Sequence, residues 1–96
     1  MRIEPEQLQF IKKSVKKFLP NAKVYLFGSR IDDKKRGGDI DILVLGSKTL
    51  TLQEKTEIRV EFWKNFGEQK LDIVDFTFDD PSPFKELVLM EAVEIL

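Results

Sequence analysis

The run Asp39-Ile40-Asp41-Ile42-Leu43-Val44-Leu45, bounded by Gly38 and Gly46, constrains the fold more than any other stretch of the chain. Aliphatic and β-branched residues between two glycines predict a strand, and their density predicts one buried in a sheet. Side chains of a strand alternate faces. Asp39 and Asp41 therefore project to one side, about 6.7 Å apart along the chain, while Ile40, Ile42 and Val44 project to the other. Two carboxylates beside an apolar sheet face repel each other by about 1 kcal/mol at ~4 Å in water, and by about 4 kcal/mol at an effective dielectric constant of ~20. A cation is expected between them.

Composition narrows which cation. The chain has no cysteine and no histidine, which excludes disulfide frameworks, thiolate and imidazole zinc sites, cysteine nucleophiles and histidine triads. Chemistry falls to carboxylates, hydroxyls, Lys, Arg and metal. All-oxygen ligation favours Mg²⁺ or Mn²⁺, which keep several waters and are usually completed by substrate phosphates. With 96 residues, the expectation is one domain spanning 1–96, without room for a second substrate-binding domain. The net charge of −1 disfavours nucleic acid as a partner. Lys12, Lys13, Lys16 and Lys17, like Lys34, Lys35 and Arg36, read as solvated surface. No apolar stretch approaches the ~18 residues of a membrane span, and MRIEPEQLQF lacks the apolar core of an export signal. No membrane partner and a cytoplasmic location are expected.

Leu8, Ile11, Val15, Phe18 and Leu19 recur at helical spacing over Pro5 to Leu19, with Pro20-Asn21 as the stop. Lys23 to Phe27 is a short β-prone run. Thr51-x-x-Glu54 matches a capping box that opens a helix running to Gly67. Leu71 to Phe78 predicts a third strand, Ser82-Pro83 predicts the start of a last helix, and the tail from Val93 to Leu96 could end as an edge strand. The order predicts an α/β (α+β) fold, a small mixed sheet with covering helices.

Gly28-Ser29 closes the strand before the acidic run. Glycine permits close backbone approach, exposed N–H groups favour an anion, and the serine hydroxyl adds a donor, so this is a candidate phosphate cradle. The loop Ile31 to Gly38 leaves room for only a very short helix between the cradle and Asp39. Asp72 comes from the third predicted strand, sharing a face with Val74 and Phe76, and could complete a two-metal site for phosphoryl displacement. Asp75 falls on the opposite face by parity, which suggests a solvated or capping role. Tyr25 and Trp63 read as core or partner surface.

Gly28-Ser29, nine intervening residues and then Asp39-Ile40-Asp41 resembles the signature of the DNA polymerase β type nucleotidyltransferases, and the short chain resembles the minimal members of that superfamily. The resemblance implies a polymerase β palm-like fold with Gly28 and Ser29 on the triphosphate of a nucleoside triphosphate, ATP being the expected one. It implies Asp39, Asp41 and Asp72 as metal ligands and catalytic residues, with Asp72 as base, or its positioner, for the attacking hydroxyl. Arg30 extends the motif toward phosphate. Minimal nucleotidyltransferases are typically paired with a small helical HEPN-domain protein in a toxin–antitoxin-like module. The implied activity is transfer of AMP to a hydroxyl, a tyrosine of that partner in particular. The alternative is a non-catalytic antitoxin that neutralises its partner by forming a complex.

Overall fold

The computed structural model describes residues 4–27 and 40–96. Its elements are α1 (Pro5–Phe18), β1 (Lys23–Phe27), β2 (Ile40–Gly46), α2 (Leu52–Phe66), β3 (Leu71–Thr77), α3 (Pro83–Glu91) and β4 (Val93–Glu94). The helix starts follow local chemistry. Pro5 opens α1 behind Glu4, whose N–H donates to the Gln7 side chain at 2.8 Å. At α2 the capping box is reciprocal, with the Glu54 N–H donating to Thr51 Oγ1 at 3.0 Å and the Thr51 N–H to Glu54 Oε1 at 2.9 Å. Gly67 ends that helix at φ 91°, a backbone conformation that a side chain would strain. Ser82 caps α3 through the Phe84 N–H, with Pro83 at the first helical position.

The strands form one mixed sheet in the order β3-β2-β1-β4. β1 runs antiparallel to β2, with Phe27 opposite Asp41 and Val24 opposite Val44. β3 runs parallel to β2, pairing Asp41 with Asp72, Leu43 with Val74 and Leu45 with Phe76. A parallel pair cannot be closed by a tight turn, so the intervening α2 makes the crossover. β4 adds an antiparallel edge of two residues, Val93 beside Leu26 and Glu94 beside Tyr25. The expected tail strand is therefore present, and short.

One face of the sheet presents Val24, Ile40, Ile42, Val44, Leu71 and Ile73 to Ile11 and Val15 of α1 and to Ile58 and Phe62 of α2. Phe62 is fully buried, its ring edge-on to Phe10 with centroids 6.2 Å apart. Each such aliphatic or aromatic side chain contributes roughly 1.5–3 kcal/mol by leaving water. Gly46 ends β2 where a Cβ would come within 3.1 Å of both Leu19 Cδ1 and the Lys48 carbonyl oxygen, so the close approach of α1 to this corner requires its missing side chain. The opposite face is thinner. Leu43, Leu45 and Val88 of α3 are buried there, flanked by half-buried Tyr25, Phe27, Val74 and Phe76.

Candidate active site

The alternation expected of β2 holds: Ile40, Ile42 and Val44 join the α1/α2 core, and Asp41 shares the other face with Leu43 and Leu45. On β3, Asp72 occupies the same thin face as Val74 and Phe76. Because β2 and β3 are parallel and in register at these positions, Asp41 and Asp72 sit side by side on neighbouring strands, about 4.8 Å apart in the hydrogen-bonding direction. Phe27 of β1 flanks Asp41 on the other side. The row Phe27-Asp41-Asp72 thus crosses the sheet at the entry end of β2 and β3, and the face beyond it is apolar. Both carboxylates are only partly buried, so an ion could reach them from solvent.

The segment that leads into Asp72 is tied down on both sides. The Ile40 N–H donates to the Lys70 carbonyl at 2.9 Å. From α2, Arg59 Nε donates to the Leu71 carbonyl at 2.7 Å, and the Trp63 indole N–H donates to the Gln69 carbonyl. Trp63 and Arg59 therefore fix where β3 begins, and with it the height of Asp72 beside Asp41. The Lys70 ammonium lies 3.9 Å from Asp72 Oδ2, and both side chains are substantially exposed. Neither Arg59 nor Lys70 stands out in the sequence, where each is one cation among sixteen. The signal that could have found Lys70 is parity, since it lies two residues before Asp72 and so on the same strand face.

Asp75 lies on the helix-covered face, as parity requires, and it is not solvated. Its side chain is 9% exposed, Oδ2 accepts the Leu50 N–H at 2.6 Å, and Oδ1 pairs with Lys55 Nζ at 2.9 Å. It caps the turn leaving β2 and fastens it to β3 and α2. Tyr25 stands half-buried on the thin face, where burial, and secondarily the neighbouring Glu94 carboxylate, push its hydroxyl above the ordinary value of 10.0.

Gly28, Ser29, Arg30 and Asp39 lie outside the described residues. Of the expected site, the described part is the Asp41–Asp72 pair. Among the described residues, no third acidic side chain joins it in a cluster able to hold an ion. Two adjacent, solvent-accessible carboxylates suit a hard divalent cation that brings its own waters and shares them with a phosphate.

Residues 9–96 match the family model of the polymerase beta nucleotidyltransferases. The chain belongs to that nucleotidyltransferase family. No curated protein matches it significantly. Several solved structures share its fold. A Shewanella oneidensis MNT antitoxin in complex with a tri-AMPylated HEPN toxin aligns at 22% identity and a TM-score of 0.69, over 98% of this chain and 72% of the other. The toxin–antitoxin MntA-HepT aligns at 21% identity and 0.67, over 97% and 72%. A toxin–antitoxin with AMP-PNP aligns at 23% identity and 0.71, over 93% and 72%. Among the described residues, no helix is long and apolar enough to cross a membrane.

Proposed function

We propose that the protein transfers AMP from ATP to a hydroxyl of a HEPN-type partner protein, a tyrosine in particular, and so acts as the antitoxin-like member of a two-protein module. The observation that carries this reading is the register of β2 with β3, which sets Asp41 and Asp72 together on the open face of a nucleotidyltransferase fold. Its support from outside the chain is the fold shared with an MNT antitoxin complexed with an AMPylated HEPN toxin, and with a toxin–antitoxin holding an ATP analogue.

In this reading the acceptor hydroxyl oxygen bonds to the α-phosphorus, the bond from that phosphorus to the β-bridging oxygen breaks, and pyrophosphate leaves with the electron pair. Asp72 takes the hydroxyl proton, or positions the hydroxyl as that proton departs. Gly28 and Ser29 cradle the triphosphate with N–H and hydroxyl donors, and Arg30 adds a cation. Mg²⁺ or Mn²⁺, bound by Asp39, Asp41 and Asp72, would neutralise charge on the phosphoryl oxygens. The thin face leaves the carboxylates facing outward, so the acceptor is held by the surface of a docked protein. Such positioning is worth ~7–11 kcal/mol of the barrier.

The test is mass spectrometry of the protein co-expressed with its helical partner, with and without Asp41→Asn. The expected result is an AMP adduct on a partner tyrosine that disappears in the variant. A tight complex with no adduct would leave a non-catalytic antitoxin as the correct reading, and an adduct only on RNA or a metabolite would overturn the assignment of acceptor.

A further inference from the structure

Lys70 is the one cation that the described residues place against the carboxylate pair. It lies on the same strand face as Asp72 by parity, immediately before the strand, and its carbonyl is held by the Ile40 N–H. Its ammonium therefore stands at the mouth of the carboxylate row, outside the apolar part of the face. At 3.9 Å and with both side chains exposed, the ion pair is too weak and too solvated to matter for stability. An ammonium on a flexible four-carbon stem exchanges partners easily.

We infer that Lys70 is a substrate-binding residue that changes partner during loading: it compensates Asp72 while the site holds no metal, and moves to the polyphosphate when metal and nucleotide enter together. The inference rests on the metal–nucleotide reading of Asp41 and Asp72. Its physical basis is competition. A divalent ion at Asp72 and the Lys70 ammonium repel, and at ~6 Å in water that repulsion corresponds to about tenfold in affinity. A triphosphate removes the conflict by giving the ammonium a new anion. Metal alone is then bound weakly, metal with nucleotide tightly, and Lys70 supplies part of the coupling between them.

The experiment measures Mn²⁺ binding by electron paramagnetic resonance, with and without AMP-PNP, in the wild-type chain and in Lys70→Met and Lys70→Arg. For Lys70→Met the expected result is about tenfold tighter Mn²⁺ binding without nucleotide, a gain that shrinks as salt is raised. With Mn²⁺ saturating, the same variant should bind AMP-PNP more weakly, so that nucleotide and metal favour each other less than in wild type. Lys70→Arg keeps the charge and should stay close to wild type in both measurements. Equal Mn²⁺ affinity in Lys70→Met and wild type, or metal and nucleotide affinity falling together in Lys70→Met, would overturn the role of Lys70 while leaving the site intact. Absence of Mn²⁺ binding to the wild-type chain, with and without AMP-PNP, would overturn the site reading itself and the inference with it.

Discussion

Among the described residues, fourteen buried hydrophobic residues form one continuous cluster on the face covered by α1 and α2, whereas the cluster on the face that carries Asp41 and Asp72 has three. That difference separates stability from chemistry within a single sheet. β2 belongs to both faces at once, giving Ile40, Ile42 and Val44 to the thick side and Asp41 to the thin one. The thick side fixes the strands so firmly that the thin side can leave two like charges adjacent and partly open to water. A site of this kind needs little cover of its own, because its geometry is enforced from behind.

The largest blow to the thick face is Phe62→Ala, which removes a fully buried ring from the contact between α1 and α2. It should cost about 3–5 kcal/mol in urea or guanidinium unfolding. A loss below ~1 kcal/mol would mean that the two faces share the load. Asp75→Ala comes next. It leaves the Leu50 N–H without its acceptor and Lys55 without its partner, at a cost of about 1–3 kcal/mol, readable in the same unfolding curves.

Asp41→Asn acts on the thin face and should change metal-free stability by no more than about 0.5 kcal/mol. The same substitution should abolish transfer. A variant that unfolds easily would break the division between the faces, and one that stays active would remove Asp41 from the site. The smallest effect is confined to alkaline pH. Burial and Glu94 raise the Tyr25 hydroxyl above 10.0, so the unfolded chain gives up this proton first as pH rises. Tyr25 therefore contributes stability that is fully present below pH 10.0 and is lost as pH climbs through its folded value. In Tyr25→Phe the fall of the melting temperature above that pH should be shallower. An unchanged slope would show that the hydroxyl on the thin face is as well hydrated as in the unfolded chain.

What the sequence made legible was whatever a few neighbouring residues decide. Thr51 with Glu54, and Ser82 with Pro83, carry their helix starts in their own side chains, and the alternation around Asp41 sorts the faces of β2 without help from the rest of the molecule. The order β3-β2-β1-β4 is not encoded this way, because it depends on which strands find each other across the α2 crossover. The same holds for Asp75. Parity puts it on the face away from Asp72, but only the approach of Leu50 and Lys55 makes it an anchor. Lys70 and Arg59 are not legible in the sequence, because surface cations acquire meaning from distant neighbours. The part of the candidate site that comes from Gly28, Ser29, Arg30 and Asp39 is legible as a motif and lies outside the described residues.

The parallel pairing of β2 with β3 also sets a schedule. Asp72 enters the chain thirty-one positions after Asp41, and at ~5–20 residues per second a ribosome takes about 2–6 s to travel between them. Until β3 has been made and has crossed over α2 to lie beside β2, Asp41 faces Phe27 of β1 but not Asp72, however well α1, β1 and β2 have already condensed. Closing so distant a contact is among the slower steps of folding for a domain of this size. A half-synthesised chain thus lacks the Asp41–Asp72 pair, which forms only after β3 has been made and has crossed over to lie beside β2.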